Sequence, residues 1–452
     1  MKIILVGCGN IGATIISSLV SEGHDIVAID NDADFLNQIT NVYDVMGICG
    51  NGADSDVLDE AGAGDADLFV AVTGSDELNM LACFLARKMG AKHTMARVRN
   101  PEYNDKSLAF MKDSMELSMC INPELLTARE LYKILKFPSA VKIESFSRGN
   151  LEMLEFRLKP DSVLDGVSLM EMRQKYKAKV LVCYVRRGDE VVIPNGMFRL
   201  KSGDWVGITA SANELQKLFK SFGAYQKQAK NVMILGGSRT AHYLADMLIE
   251  SGGSVKIIER DEEICERLSE ALPKAVIING DGAEHELLLE EGIKSLDAFV
   301  SLTNLDEANI LLSIFASNQN VPKAIAKVNR DELGRLAENM GLDSIVSPKS
   351  MIANVLVSYA RALENSVGSS IETLYKIADG KAEALEFNVK PDSKVIGIPL
   401  KDLESKNGIL IAGIIRQNQT VIPAGSDMIL AGDSVVVISS EHRLGDLDDI
   451  LK

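Results

Sequence analysis

The sequence predicts an α/β protein in which one composite module occurs twice, and three observations predict it. Residues 2–12, KIILVGCGNIG, return as NVMILGGSRTA at residues 231–241. In both copies a glycine-rich turn joins an apolar run to an amphipathic stretch, the strand–turn–helix order of a Rossmann-like unit. A different unit recurs behind each copy: Lys159-Pro160-Asp161-Ser162 returns as Lys390-Pro391-Asp392-Ser393, and Val192-Ile193-Pro194 as Val421-Ile422-Pro423. The order is therefore A-B-A′-B′, and a repeat of this kind sets the architecture.

Within unit A, apolar runs at 3–6, 26–29 and 68–72 alternate with helix-length amphipathic stretches at 11–22 and 76–89, which reads as βαβ units around a parallel sheet. The match continues in register. Asp30 returns as Glu259, Gly50-Asn51-Gly52-Ala53 as Gly280-Asp281-Gly282-Ala283, Thr73 as Thr303, Asn79 as Asn309, and Arg97-Val98 as Lys327-Val328. Pro123 and Pro348 each suit a first helical turn, with Ser347 placed to cap the second helix. Unit B carries short Val- and Ile-rich strands at 180–185 and 191–193 with Gly-Asp turns at Gly188 and Gly203, a small α+β lobe. The expected divisions are a Rossmann-like lobe at 1–122, a crossover helix at 123–142, a C-terminal lobe at 143–224 and a linker at 225–230. The second copy follows with 231–347, 348–370 and 371–452.

Composition narrows the function. The 452 residues carry a net charge of −16, which argues against a nucleic-acid partner. No apolar run approaches the roughly 18 residues needed to span a bilayer, so direct membrane insertion is not expected. Cys8, Cys49, Cys83, Cys120, Cys183 and Cys265 form no C-x-x-C pair, which suggests a reducing compartment and no zinc site. Cys8 would be redox-sensitive if exposed.

Gly7-x-Gly9-x-x-Gly12 follows a strand, opens a helix and is followed by Asp30 at the end of the next strand. Gly7 permits the tight turn, Gly9 the approach of a pyrophosphate, and Gly12 close packing of helix on strand. Free amides at the helix start favour an anion, and Asp30 would accept from ribose hydroxyls and repel a 2′-phosphate, so NAD or adenine nucleotides are preferred over NADP. The second loop, Gly236-Gly237-Ser238-Arg239-Thr240, is tighter; Arg239 could reach terminal phosphates and Glu259 keeps the ribose acceptor. Thr73-Gly74 and Thr303-Asn304 fall at strand ends facing the crevice, and Arg97 and Lys327 are cations suited to a phosphate. Asp76, Glu77, Asp306 and Glu307 read as first-turn acidic residues that favour the helix dipole.

A catalytic reading finds little support. His24, His93, His242, His285 and His442 share no repeated position, so each reads as surface or structural. Tyr132-x-x-x-Lys136 with Ser118 upstream has the spacing of a short-chain dehydrogenase, the basis of an alternative as an NAD-dependent oxidoreductase. That family's glycine spacing is absent, and a four-residue gap is also that of any pair sharing a helix face.

GCGNIG with Asp30, GNGAD at 50–54, VTGSDELN at 72–79, ARVRNPEY at 96–103 and INPE at 121–124, in the A-B-A′-B′ order, resemble the TrkA family of Trk potassium-uptake systems, tandem RCK (or KTN) proteins. The resemblance implies a cytoplasmic, non-enzymatic regulatory subunit, peripheral on the inner face of the membrane beneath a potassium-translocating Trk-type partner. It implies assembly into a homo-oligomeric ring, a tetramer of tandem modules, and binding of NAD(H), ATP or ADP. By position, the ligand contacts would be Gly7, Cys8, Gly9, Asn10, Ile11, Asp30, Asn51, Gly52, Ala53, Thr73, Gly74 and Arg97. The counterparts are Gly236, Gly237, Ser238, Arg239, Thr240, Glu259, Gly280, Asp281, Thr303 and Lys327. Asn10 stands where related modules often carry an arginine, which Arg239 retains in the second copy.

Overall fold

A computed structural model describes residues 1–100, 103, 105–177, 179–364, 371–378, 380–440 and 443–452. Pro101, Glu102, His442 and the 365–370 end of the second expected crossover segment lie outside the described residues.

The first Rossmann-like lobe runs β1 (Lys2–Val6), α1 (Asn10–Ser21), β2 (Asp25–Asp30), α2 (Ala33–Val42), β3 (Met46–Cys49), α3 (Ser55–Glu60), β4 (Leu68–Ala71), α4 (Asp76–Met89), β5 (His93–Arg97), α5 (Asp105–Ser114) and β6 (Met119–Ile121). The crossover helix α6 (Pro123–Lys136) leads to β7 (Lys142–Phe146), β8 (Leu151–Arg157), α7 (Leu169–Tyr176), β9 (Leu181–Arg187), β10 (Glu190–Val192), β11 (Trp205–Ala210) and α8 (Ala212–Ser221). The second copy repeats this with β12 (Asn231–Leu235), α9 (Arg239–Glu250), β13 (Ser254–Glu259), α10 (Glu262–Ala271), β14 (Val276–Asn279), α11 (His285–Glu290), β15 (Ala298–Ser301), α12 (Asp306–Asn318), β16 (Lys323–Lys327), α13 (Asp331–Asn339) and β17 (Ser344–Val346). It ends with α14 (Pro348–Glu364), β18 (Ile371–Ile377), β19 (Ala382–Asn388), β20 (Ile409–Arg416), β21 (Gln419–Val421) and β22 (Ser434–Ser439).

The parallel sheets have the orders β3-β2-β1-β4-β5-β6 and β14-β13-β12-β15-β16-β17. Their central strands are buried on both faces, as the unbroken apolar runs require. The C-terminal lobes are five-stranded sheets with antiparallel pairing, β10-β9-β11-β8-β7 and β18-β19-β22-β20-β21. They share one core, in which Phe146, Leu151 and Tyr184 meet Ile377, Ala384 and Ile438. The two differ from each other. A Ser168–Glu171 capping box starts α7 in the first, whereas the corresponding stretches of the second hold 3-10 turns, Leu400–Asp402 after Pro399 and Leu447–Ile450, the latter opened by an Asp446–Asp449 capping box.

The crossover helices are exchanged. Ala128, Leu131, Ile134 and Leu135 of α6 lie in the core of the second lobe with Val232, Ile234, Leu244 and Leu248. Ile352, Leu356, Val357 and Ala360 of α14 lie in the core of the first with Ile3, Leu5, Ile15 and Leu19. At about 1.5–3 kcal/mol for each buried Leu or Ile, withdrawing either helix would cost a large part of a domain's net stability. The two modules are therefore one mechanical body.

Candidate functional site

In the first lobe β1 and β4 are sheet neighbours whose connections run to opposite sides, and a crevice opens beyond their C-terminal ends. It holds a cavity of about 500 Å3 lined by the glycine loop, Asp30, Asn51, Gly52, Thr73, Gly74 and Arg97. Gly7 has φ +99°, and a Cβ there would lie 2.9 Å from the Thr73 amide, so the turn requires glycine. A Cβ on Gly12 would lie 1.9 Å from the Gly7 carbonyl oxygen, which sets how closely α1 approaches the strand. Gly9 is the N-cap of α1. Nothing lies within 4 Å of where its Cβ would be, and no side chain caps the helix. The first-turn amides of Asn10, Ile11 and Gly12 are thus left for an anion.

Asp30 is half-occupied by the loop it faces. Its Oδ2 accepts from the Cys8 amide at 2.5 Å and its Oδ1 from the Asp32 amide at 2.9 Å, and each oxygen keeps a lone pair for a ribose hydroxyl. Cys8 contributes backbone only. Its side chain is 1% exposed with Sγ against the Ile29 carbonyl, and burial, with Asp30 nearby, pushes its thiol up to about 12. The expectation of a redox-sensitive Cys8 thus fails at its condition, exposure. Ala53 does not line the cavity; its amide is taken by Asn51 Oδ1 at 3.1 Å.

The far wall is built on a residue that the sequence reading noted only as a repeat match. Asn79, fully buried, accepts from the Thr73 amide (2.8 Å) and hydroxyl (2.7 Å) and donates to the Arg97 carbonyl at 2.9 Å. Arg97 is buried and donates to the Thr73 carbonyl. Its Nε has no partner among the described residues. Burial, then Arg99, lowers its guanidinium to about 10, and Arg239 of the second module adds to that repulsion. The carboxylates of Glu124 and Asp76 offset part of that repulsion, and an orphaned buried guanidinium donor beside open helix amides fits a phosphate. Asp76 and Asp306 do more than favour a helix start: Asp76 accepts the Arg99 and Asn100 amides at 2.8 Å, and Asp306 those of Asn329 and Arg330 at 3.0 Å.

The second cleft has the same parts, with one helix amide taken by a side chain. Gly236 (φ +96°) abuts Thr303, and Glu259 accepts from the Gly237 amide at 2.6 Å and the Asp261 amide at 2.9 Å. Glutamate is one methylene longer than Asp30. Gly237 makes the room, since a Cβ there would lie 3.1 Å from Glu259 Cγ and 2.7 Å from Ile264. Ser238 caps α9, its Oγ accepting from the Ala241 amide at 3.3 Å. Arg239 is exposed in the first turn, whereas Thr240 is buried. Gly280 backs onto Leu287, and Asp281 accepts the Ala283 amide at 2.9 Å. Thr303 is held by Asn309 at 2.7 Å, as Thr73 is by Asn79. Lys327 is buried and donates to the Leu302 carbonyl at 3.3 Å; burial holds its ammonium below the ordinary lysine value.

The modules meet beside the first cleft. Asn122 caps α6 through the Leu125 amide (2.9 Å) and donates to the Tyr243 hydroxyl of α9 at 3.1 Å, which donates to the Arg99 carbonyl at 3.3 Å. The oxidoreductase trio is not assembled. Ser118 Oγ accepts the Thr94 amide at the opposite end of the sheet, and Tyr132 packs on the second lobe's core. None of His24, His93, His242 and His285 lines the cavity.

TrkA-N domain models match residues 3–113 and 232–348, and TrkA-C domain models match 153–223 and 384–452. The chain is 32% identical to Trk system potassium uptake protein TrkA homolog 1 of Methanosarcina mazei, over 100% of both chains. It is 30% identical to the TrkA of Haemophilus influenzae, over 98% of this chain and 96% of that one. Among solved structures, the GsuK RCK domain shares the fold with a TM-score of 0.63 at 19% identity, over 97% of this chain and 92% of that one. The GsuK channel bound to NAD gives a TM-score of 0.63 at 19% identity over 97% and 76%. With four domain matches in alternating order and full-length relatives above 30% identity, the chain belongs to the TrkA family of Trk-system potassium uptake proteins.

Proposed function

We propose that the chain is a nucleotide-sensing regulatory subunit that gates a potassium-translocating membrane partner of the Trk type from the cytoplasmic face. The observation that carries this reading is the first cleft: uncapped amides at α1, the Asp30 carboxylate and the orphaned Arg97 Nε around one cavity. This is a set for an adenosine with phosphates, NAD(H), ATP or ADP, and Asp30 would repel the extra 2′-phosphate of NADP. Arg99 and Arg239 add positive charge at the phosphate end, set against the carboxylates of Glu124 and Asp76. Among the described residues no helix is long and apolar enough to cross a membrane, so attachment goes through the partner.

A ligand in the first cleft touches the origin of α1, on which α14 packs, and the strand end that Tyr243 holds. A shift there reaches both lobes through the exchanged helices. Ring assembly is supported by an apolar side chain left exposed at the equivalent position of both modules, Leu81 (45%) on α4 and Leu311 (61%) on α12. Repeated faces of this kind let chains join head to tail, and four tandem chains would close an eight-module ring. A nucleotide acts only through different affinity for the two ring states. The test is potassium flux through the reconstituted partner with ATP, ADP, NADH or no ligand; equal flux in all four would end the sensing reading.

A further inference from the structure

The second Rossmann-like lobe rests on the first C-terminal lobe along a polar seam. Arg157 of β8 donates to Asp343 Oδ1 at 3.0 Å and to the Glu338 carbonyl at 3.1 Å, and Arg186 of β9 pairs with Glu338 at 3.7 Å. Both guanidinium groups lie over the ring of Trp205, 5.7 and 4.5 Å from its centroid. Lys323, which opens β16 at this seam, is in a different position. It is 7% exposed, and its Nζ donates to the carbonyl of Ala140, in the turn after α6, at 2.6 Å.

The charges that face it come from two sides. Asp343, before β17, is already held by Arg157, and Lys159, beyond β8, is a like charge. On the neighbouring strand β15 its partner is Ala298, which brings none. Burial lowers its ammonium to about 7, against the weaker pull of Asp343. The neutral amine keeps a proton for the Ala140 carbonyl and sheds the desolvation cost of the ammonium. The corresponding place in the first lobe, at the start of β5, is held by His93, whose ring edge meets Tyr359 of the other exchanged helix with centroids 6.4 Å apart. A titratable side chain thus stands at the junction of each Rossmann-like lobe with the crossover segment of the other module.

We propose that Lys323 is a proton-operated latch that seats the second Rossmann-like lobe on the turn behind α6 when neutral and loosens it when charged. Nothing in this depends on a nucleotide. A solvated lysine titrates near 10.5 and the seated one near 7, so the seated state binds fewer protons between those values. Seating therefore tightens by up to about tenfold per pH unit above 7 and is weakest, and constant, below it.

Hydrogen exchange on the full chain tests it at the amides of residues 139–142, corrected for intrinsic rates, from pH 6.5 to 8.5. Acrylamide quenching of Trp205, the one tryptophan in the sequence, reads the same seam. The expected result is protection that is flat below about pH 7 and climbs towards tenfold per unit above it. Lys323→Met flattens the profile, and Lys323→Arg, charged throughout, gives low protection without pH dependence. A flat wild-type profile overturns the latch, as does the wild-type slope surviving in either variant. Should Lys323→Met not fold, the wild-type profile and Lys323→Arg decide.

Discussion

The two Rossmann-like lobes have the same strand order and an acidic residue at the end of the second strand, Asp30 or Glu259, yet the helix that opens on the cleft is uncapped in one and capped by a side chain in the other. In the first, Gly9 leaves the α1 amides uncapped; in the second, Ser238 takes an α9 amide for itself. The difference teaches that a glycine fingerprint is a statement about unsatisfied backbone donors, and that one hydroxyl withdraws one of them. The asymmetry extends to the exchanged helices. On the first lobe α14 is pinned by charge: Arg361 pairs with Glu22 at 2.6 Å and with Glu383 at 2.7 Å, and Lys376 pairs with Glu22 at 2.9 Å. On the second lobe Ser251 stands in Glu22's place, and α6 is held by its apolar face and the Asn122–Tyr243 bond.

Breaking the charged anchor should give the largest effect. Arg361→Met strips half-buried Glu383 of its two-pronged partner and leaves buried Glu22 to Lys376 and Arg443 alone, a loss of about 3 kcal/mol, whereas Lys136→Met at the exposed matching position of α6 should stay within about 0.5 kcal/mol. Denaturant unfolding of both variants checks the contrast, and similar losses would remove the asymmetry. Acid adds a second reading. Burial alone would raise the Glu22 carboxyl, but Lys376 and Arg361 outweigh it and hold it below its ordinary 4.5. The stabilisation from Glu22 is therefore complete above about pH 4.5 and is lost as pH falls further.

Next comes the helix approach. Gly12→Ala drives a methyl into the Gly7 carbonyl, which should cost about 1–3 kcal/mol and abolish nucleotide binding in calorimetry. The second lobe already carries Ala241 there, fully buried, so Ala241→Gly should cost only about 1 kcal/mol from helix propensity and leave binding intact. Binding that survives Gly12→Ala would separate the loop from the ligand. At the ribose end, Asp30→Ala should weaken NADH or ADP by about 1.5–3 kcal/mol, the worth of hydrogen bonds to a charged group, and narrow the preference over NADPH. Glu259→Ala should change neither, and equal losses from the two would mean that both clefts are occupied.

Much of this was legible in the residues. The β1–turn–α1 unit, the acidic strand end and the A-B-A′-B′ order follow from apolar periodicity and repetition, both local. Asn79 carried a signal in its return as Asn309, but its role in fixing Thr73 and Arg97 needed the strand ends side by side. Tyr243 carried none, because it reaches Arg99 only through helix exchange across 144 residues. The buried Cys8 thiol was also out of reach, since a glycine loop does not show which way its one side chain turns. The weakened second loop was visible; that Ser238 takes a helix amide as a cap, rather than merely crowding the loop, depends on the direction of one hydroxyl.

That hydroxyl offers the smallest change with the sharpest consequence. Ser238→Gly removes the α9 cap, which should cost only a few tenths of a kcal/mol because glycine is itself tolerated at an N-cap. It frees the Ala241 amide and restores the geometry of Gly9, while Arg239 and Glu259 remain in place on either side. Calorimetry on the full chain should then move from one adenine nucleotide per chain towards two, with the affinity of the first unchanged. The reciprocal variant, Gly9→Ser, has open space for its side chain and should cap α1 at the expense of phosphate binding, lowering the count. If Ser238→Gly leaves the stoichiometry at one, Ile264 and Leu268, which crowd Gly237, rather than the cap, are what close the second cleft.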